Sequence, residues 1–430
     1  MIKKHLQRLG INQAGLLCTL LLIVNLSTFL LIVFSRGSLL PNYFHKYSFD
    51  TSMDFFNVLA ASARDDLYLG DGYNYPPFCM FMMKCIHYIV PAGVPTIDQI
   101  NQYGGDGLYL RTFQNALFAY LLIITTCVLI IALCLIHILK GSNNATKWPA
   151  CLVVLTSGPF LYMLERGNVI IIALMGTLIF TVFYESESAV GRCLALLSLA
   201  VAASIKLYPA VFSIMLLRKR RYKEFLLFVI VFAIIFIVPF WLYGGIDAIF
   251  GFIRGLGDFT QEFSTFGMGL QYGMSNMLKI VKGVTGIALP ASSSTIGIVI
   301  ALILCVIAAV KSEQDGLSLL LLGGLCVIVP SISFTYALTF LIPGFIVLVR
   351  DFKQRDFGAI AVLGLVGLCL LIYVFPLVPI RGNLPDAVQY PLYVGCLIGN
   401  IALYGMILLA LIISICAPRG EKTVGGDMAE

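Results

Sequence analysis

Long runs of nearly uncharged residues recur from the beginning of this chain almost to its end. Several of these runs reach about 18 residues or more, the length that an α-helix needs to cross the hydrocarbon core of a bilayer. Apolar residues make up 60% of the chain and charged residues only 12%. The sequence therefore predicts an all-α, polytopic membrane protein with about twelve transmembrane helices and no soluble domain.

Basic residues set the expected orientation of these helices in the membrane. Three basic residues precede the first apolar run, and residues 218–221 form an entirely basic loop. We interpret residues 14–34 as a retained first helix, because the run is long and has no clear small-residue cleavage site. Cytoplasmic loops carry an excess of Lys and Arg, so we expect both termini in the cytoplasm. The net charge of +6 reflects this bias and does not indicate nucleic-acid binding.

The run at residues 193–217 allows two topologies, because Lys206 interrupts it. A single span would bury the lysine in the bilayer, at a cost of about 3 kcal/mol on insertion scales. It would also require residues 78–90 to span, and it would leave three basic residues outside, namely Lys140, Lys147 and Arg192. Two short spans hinged at residues 206–209 place the lysine at the outer surface and those residues inside. We prefer the hinge, with residues 78–90 as a short interfacial helix outside.

The outer stretch at residues 49–78 holds the densest acidic cluster of the chain, formed by Asp50, Asp54, Asp65, Asp66 and Asp71. Behind Asp54, apolar residues recur at helical spacing. This pattern predicts an amphipathic helix on the membrane surface that begins near Asp54 and ends near Gly70. The segment at residues 73–77, Tyr-Asn-Tyr-Pro-Pro, then predicts an extended turn, because proline fixes φ and removes a donor.

This topology gathers a carboxylate, two cations and several polar side chains at the outer face. They are Asp54, Tyr75, Arg166, Asn168, Lys206, Asn276 and Tyr336. A lipid phosphate requires cationic partners at the bilayer surface, and a sugar hydroxyl requires a base. Structural roles stay open at this point, since Asp54 suits a helix start and Arg166 suits an interfacial anchor.

Residues that bind metals or nucleotides form no recognisable pattern. The four histidines, His5, His45, His87 and His137, are far apart, and the twelve cysteines are scattered singly. No P-loop or dinucleotide-binding fingerprint appears. The sequence therefore predicts no zinc site and no required cofactor. A divalent metal is compatible with the chemistry but is not predicted.

Four segments in the same order resemble glycosyltransferase family 87. They are Asp54-Phe-Phe with Asn74-Tyr-Pro-Pro77, then Glu165-Arg-Gly-Asn168, then Ile205-Lys-Leu-Tyr-Pro209, and lastly Ser331-Ile-Ser-Phe-Thr-Tyr336. That family comprises bacterial polyprenol-phosphate-mannose-dependent mannosyltransferases with the GT-C fold. The chain departs from the family at Phe334 and Tyr336, where relatives usually carry Trp and then His.

The resemblance implies a GT-C fold with amphipathic helices in the first outer loop, and it supports the hinge. It implies one domain over residues 1–430. Within it, a leading seven-helix module at 1–243 carries the catalytic outer loop at 35–111. A long outer loop at 244–294 and the C-terminal helices at 295–430 complete the domain. The resemblance also implies that Asp54 is the catalytic base.

The expected function is transfer of mannose or a similar hexose, with inversion, from a polyprenyl-phosphate donor to a glycolipid or glycan acceptor. Lys206, assisted by Arg166, is expected to hold the departing phosphate. The remaining four candidates, Tyr75, Asn168, Asn276 and Tyr336, are expected to contact substrate. The expected location is the bacterial plasma membrane, with the site facing outside and membrane lipids, but no nucleic acid, as partners. A lipid or polysaccharide transporter or flippase is the alternative, and a non-catalytic scaffold subunit is a third.

Overall fold

The computed structural model describes residues 12–39, 51–69, 73–89, 107, 109–264, 271–290, 292–353, 356–372 and 393–416. Within these ranges the chain forms helices and no β-strand, with one isolated antiparallel bridge between Gln271 and Phe334. Several sequence predictions lie outside the described residues, including the basic N-terminus, Asp50 and Asp71. The described chain is an all-α, polytopic membrane protein.

The leading part of the chain contains ten α-helices within the described residues. They are α1 (Gln13–Phe34), α2 (Met53–Ser62), α3 (Pro77–Ile89), α4 (Gln114–Ile138), α5 (Asn144–Leu155), α6 (Gly158–Arg166), α7 (Ile170–Phe183), α8 (Ala189–Ile205), α9 (Ile214–Arg218) and α10 (Tyr222–Ile237). Short 3₁₀-helices at Leu110–Thr112, Tyr208–Ser213 and Val238–Tyr243 lead into α4, lead into α9 and extend α10.

Seven more α-helices follow in the described remainder. They are α11 (Ile246–Ser264), α12 (Met274–Thr285), α13 (Ser292–Lys311), α14 (Asp315–Ile328), α15 (Ile342–Arg350), α16 (Phe357–Leu370) and α17 (Val394–Cys416). A 3₁₀-helix at Thr335–Leu341 leads into α15.

Six helical segments of the described chain are long and apolar enough to cross a bilayer. They are Gln13–Phe34, Gln114–Ile138, Asn144–Arg166, Tyr222–Tyr243, Ser292–Lys311 and Val394–Cys416. Seven further apolar helices have 10–17 residues. At 1.5 Å per residue, a helix of 14 residues extends only about 21 Å, less than the ~30 Å core of a bilayer. The number of spans therefore stays a prediction, whereas the polytopic character is observed.

Helix α14 is the centre of the core. Every residue from Gly316 to Ile328 is buried, and a helix that is apolar on all sides is typical of the interior of a large helical protein. Glycines allow its neighbours to approach its backbone. A Cβ added at Gly323 would lie 2.2 Å from the carbonyl oxygen of Phe340. The segment around Tyr336 is held against this rigid helix.

Two sequence predictions about the outer segments are wrong. Helix α2 ends at Ser62 and not near Gly70, because the charged residues Arg64 and Asp66 follow and pair with each other at 3.2 Å. Its apolar face is also enclosed by protein, with Phe56 fully buried, and does not lie open on a membrane surface. The segment predicted as a long loop, residues 244–294, contains the two amphipathic helices α11 and α12, which the sequence analysis did not predict.

The chain breaks at Lys206, where the hinge was predicted. Helix α8 ends at Ile205, and Lys206 adopts an extended conformation (φ −138°, ψ 125°) before the 3₁₀-helix. Tyr208 begins that 3₁₀-helix, with Pro209 in its first turn. The Lys206 N–H still donates to the Ala202 carbonyl at 3.1 Å, so the break begins immediately after this hydrogen bond.

A cluster of charged residues lies at the C-terminal ends of helices α7 and α9. Asp315 pairs with Arg218, accepts a hydrogen bond from Lys219 at 2.8 Å and accepts another from the Tyr184 hydroxyl at 2.7 Å. Tyr184 follows the last residue of α7, whereas Asn168 precedes its first turn. The basic cluster and Asn168 are therefore separated by about 21 Å, the length of α7.

The close approach at Gly323 yields a test of the core. Gly323→Ala would push a methyl group against the Phe340 carbonyl, so we expect it to lower the free energy of unfolding by about 1–3 kcal/mol. Gly364→Ala in α16 is the matched control, because a Cβ there meets nothing within 4 Å. Thermal unfolding in detergent should show a lower midpoint for Gly323→Ala alone. Equal midpoints would contradict the packing of α14.

Candidate active site

The N-terminus of α2 places Asp54 in the interior of the protein. Ser52 has a left-handed conformation (φ 64°) immediately before the helix, and its backbone N–H donates to the Glu165 carbonyl at 2.6 Å. The Ser52 hydroxyl donates to Tyr120 at 3.0 Å, and the Tyr120 hydroxyl donates to the Leu164 carbonyl at 3.2 Å. These contacts attach the start of α2 to the end of α6, so that Asp54 in the first turn faces the residues that follow α6.

Both oxygens of the Asp54 carboxylate accept hydrogen bonds from that segment. Arg166 Nη2 donates to Oδ1 at 2.5 Å, and Asn168 Nδ2 donates to Oδ2 at 2.6 Å. The side chains of Asp54 and Arg166 are each only 16% exposed. Charge-assisted hydrogen bonds in such an enclosed position are strong and fix the direction of the carboxylate. Each oxygen keeps a lone pair, so the carboxylate can still accept a proton from a further group.

Gly167 makes this arrangement possible. It ends α6 in the left-handed conformation (φ 62°), and a Cβ there would lie 3.0 Å from the backbone of Ser52. A glycine at this position closes the helix without strain and allows the two backbones to approach. The turn directs Arg166 and Asn168 to the same side. Asn168 Oδ1 also accepts the Ile170 N–H at 3.0 Å, which starts α7.

Lys206 is the second cation of the site. Its side chain is partly buried, and its ammonium lies 3.9 Å from the centroid of the Tyr75 ring. The ammonium also lies within electrostatic range of the Asp54 carboxylate. Lys206 and Asp54 therefore share one electrostatic environment.

Tyr75 is held in place from two sides. The Tyr68 hydroxyl donates to the Tyr75 carbonyl at 2.5 Å, and the ring of Tyr73 stacks on the Tyr75 ring with centroids 5.9 Å apart. Its enclosed position, and then the neighbouring Asp54 carboxylate, raise the pKa of Tyr75 well above its ordinary value. The phenol is therefore neutral at physiological pH, and its ring is an uncharged surface beside Lys206.

Tyr336 completes the aromatic side of the site. Its ring stacks on Tyr162, with centroids 5.9 Å apart and planes at 14°, and it packs against Phe334 at 5.8 Å. Its phenol also lies within electrostatic range of the Asp54 carboxylate. This aromatic surface near the carboxylate is of the kind that contacts the apolar face of a sugar ring.

Asn276 lies in a different environment. Its side chain is buried and donates to the Gln271 carbonyl at 2.6 Å. In the part of the chain that the structure describes, no contact joins it to Asp54, Lys206 or Arg166. Of the seven candidates, the structure brings six together, and Asn276 lies beside the Gln271–Phe334 bridge.

Sequence reasoning missed the residues that support the site. Tyr120 lies inside an apolar run, and Tyr162 lies in the middle of the amphipathic helix α6, so neither has a local signal of function. Tyr68 lies in the acidic stretch, but its role depends on a contact with Tyr75 that only the fold defines. Asp65 and Asp66 are exposed and pair with Lys84 and Arg64, so they do not contribute to the site.

No metal centre is visible in the described ranges, where no three His, Cys, Asp or Glu side chains converge. The donor set around Asp54 is an arginine and an asparagine amide, both hydrogen-bond donors, which orient a carboxylate and do not bind a cation. The arrangement combines an oriented carboxylate, an ammonium and an aromatic surface, and such a combination suits acid–base chemistry on a hydroxyl next to an anion.

The model of glycosyltransferase family 87 matches residues 73–330, more than half of the chain. The matched segment includes Arg166, Asn168 and Lys206, begins after Asp54 and ends before Tyr336. No curated protein and no solved structure matches the chain. The hydrogen bonds of Arg166 and Asn168 connect Asp54 to the matched segment. This polytopic membrane protein belongs to glycosyltransferase family 87.

Proposed function

We propose that this glycosyltransferase moves a hexose, mannose or a close relative, from a polyprenyl-phosphate donor to a glycolipid or glycan acceptor. The observation that carries the proposal is the Asp54 carboxylate, which is oriented by Arg166 and Asn168 and lies within electrostatic range of the Lys206 ammonium. Such a transfer needs a base that takes the proton of the acceptor hydroxyl and a cation that stabilises the negative charge on the leaving group. Asp54 and Lys206 would supply these two groups in one enclosed site.

The reaction is a single displacement. Asp54 takes the proton of an acceptor hydroxyl while that oxygen forms a bond with the anomeric carbon of the donor sugar. The bond between the anomeric carbon and the phosphate oxygen breaks, and its electron pair leaves with the polyprenyl phosphate. Attack opposite to the leaving group inverts the anomeric centre, as in inverting glycosidases. Protons and charges balance without a further reactant.

In this proposal the two cations have different roles. Arg166 was expected from the sequence to assist at the phosphate, but its guanidinium is hydrogen-bonded to Asp54. We therefore assign Arg166 to the orientation of the base and Lys206 to the phosphate. Lys206 suits that task because an ammonium is a compact point charge that stabilises the growing charge on a single phosphate.

The remaining polar candidates take substrate-binding roles. Asn168 holds Asp54 and borders the space next to it, whereas Tyr336 offers an aromatic face. Asn276 stays a candidate for binding the acceptor. It lies beside the Gln271–Phe334 bridge, and the segment from Phe334 leads to Tyr336 in the site. No structural observation favours the transporter or the scaffold alternative.

The basic residues at the far end of α7 and α9 support an outward-facing site in a bacterial plasma membrane. Arg218 and Lys219 cluster there with Asp315, and cytoplasmic ends carry such an excess of Lys and Arg. The Asp54 site lies at the other end of α7. In this proposal the donor and the acceptor therefore meet at the outer leaflet.

Asp54→Asn tests the base. The amide is isosteric with the carboxylate but cannot take a proton, so we expect transfer to fall by about 10²- to 10⁴-fold. The assay uses purified protein in vesicles with a synthetic lipid-linked hexose and counts the transferred sugar. Asp65→Asn is the matched control, because Asp65 belongs to the same outer segment and its side chain is 85% exposed. Transfer by Asp54→Asn within about threefold of wild type would refute the assignment.

Lys206→Met tests the phosphate site, since methionine keeps the apolar stem and removes the charge. Loss of a hydrogen bond to a charged group should raise the donor KM or lower kcat by about 10- to 150-fold in total. Lys206→Arg should recover part of that loss, and Lys140→Met is the control because Lys140 is exposed beyond the end of α4. Wild-type kinetics in Lys206→Met would show that the phosphate binds elsewhere.

A further inference from the structure

The contact between Lys206 and Tyr75 is unusually tight. The ammonium lies 3.9 Å from the ring centroid, whereas the other three ammonium–ring contacts of the described residues measure 5.7–6.0 Å. A ring attracts a cation through the negative potential of its face, and the attraction extends to about 6 Å. At 3.9 Å the Lys206 ammonium rests on the face of the Tyr75 ring.

No carboxylate pairs with this ammonium in the part of the chain that the structure describes. Asp54 interacts with it electrostatically but forms its hydrogen bonds with Arg166 and Asn168. Burying a cation without a partner is costly, and the ring offsets part of this cost without occupying an N–H donor. The N–H groups of Lys206 that point away from the ring form no hydrogen bond with another described residue, so they stay available to an anion.

The ring itself is fixed by its surroundings. Tyr68 is fully buried, and its hydroxyl donates to the Tyr75 carbonyl at 2.5 Å. Pro76 and Pro77 follow directly, and proline restricts the backbone of the residue before it as well as its own. Gly255 of α11 approaches the same turn, where an added Cβ would lie 2.4 Å from the Tyr73 nitrogen. The ring therefore has little freedom to move away from Lys206.

We propose that Tyr75 is a positioning residue whose ring face holds the Lys206 ammonium apart from Asp54 and ready for the donor phosphate. Its expected role from the sequence was direct contact with substrate; here it acts through Lys206. Without the ring, Lys206 would turn towards Asp54, and donor binding would have to break an ion pair. The anion's identity rests on the proposed function, whereas the ring–ammonium contact does not.

Graded fluorination of the ring tests the proposal in the full-length protein. Fluorine withdraws electrons and weakens the ring face while the shape changes little. Tyr75→Phe should bind a short-chain polyprenyl phosphate within about twofold of wild type, because the face is retained. Mono-, di- and trifluorinated phenylalanine at this position should weaken binding stepwise, by about 2- to 30-fold over the series. The donor KM should rise more than kcat falls.

The same series at Tyr73 is the matched control. Its ring stacks on Tyr75 but carries no ammonium among the described residues. The loss of affinity per added fluorine should therefore be much smaller at Tyr73. Unchanged affinity across the series at Tyr75, or an equal loss of affinity per fluorine at the two positions, would overturn the proposal. A full loss of affinity in Tyr75→Phe would do the same, because it would assign the effect to the hydroxyl.

A second measurement separates this proposal from the proposed function. Lysines are ¹³C-methylated in the purified protein, and the Lys206 signal is identified by its absence in Lys206→Arg. A ring directly below the ammonium should displace this signal upfield, and Tyr75→Leu should abolish the displacement. No displacement in wild type refutes the contact whatever the protein binds. A displaced signal without any binding of polyprenyl phosphate supports the contact and refutes the proposed donor.

Discussion

The Asp54 carboxylate, held from two sides by Arg166 and Asn168, is the interaction on which the candidate site depends. A carboxylate with little solvent exposure is stable only when donors replace its lost water. Both donors come from one turn, the four residues at the junction of α6 and α7. Gly167 ends α6 in a left-handed conformation and allows that turn to lie against the start of α2. A single local geometry thereby joins the first outer segment to the membrane helices.

The two cations near this carboxylate have different chemistry because they have different partners. The planar guanidinium of Arg166 suits a fixed, directional contact with a carboxylate, and an ammonium suits a site where an anion comes and goes. Lys206 rests on the face of the Tyr75 ring, a side chain without net charge. A second carboxylate in that position would compete with a phosphate for the ammonium. The arrangement keeps the base oriented and the phosphate site open at the same time.

The sequence indicated which residues belong to the candidate site, but it did not indicate which of them are in contact. Lys206 stood out because a lone charge in an apolar run demands a reason, and Pro209 indicated a break that the structure contains. The partner of Arg166 could not be predicted, since a basic residue at the end of an apolar run equally suits a phosphate, an anchor or a carboxylate. The sequence analysis assigned Tyr75 to substrate contact. It could not predict the contact with Lys206, because that lysine lies 131 residues away in the sequence. The helices α11 and α12 were missed because their glycines resemble turn signals, whereas Gly251 and Gly255 serve close packing against the first outer segment.

A structure of the protein with a non-hydrolysable polyprenyl-phosphate sugar would show directly whether Asp54 and Lys206 act on the same substrate. We expect the phosphate oxygens within hydrogen-bonding distance of Lys206 Nζ, and the anomeric carbon between this phosphate and the Asp54 carboxylate. Arg166 and Asn168 should keep their hydrogen bonds to Asp54. A phosphate bound at Arg218 and Lys219, or a sugar on the side of Lys206 away from Asp54, would refute the roles assigned to Asp54 and Lys206.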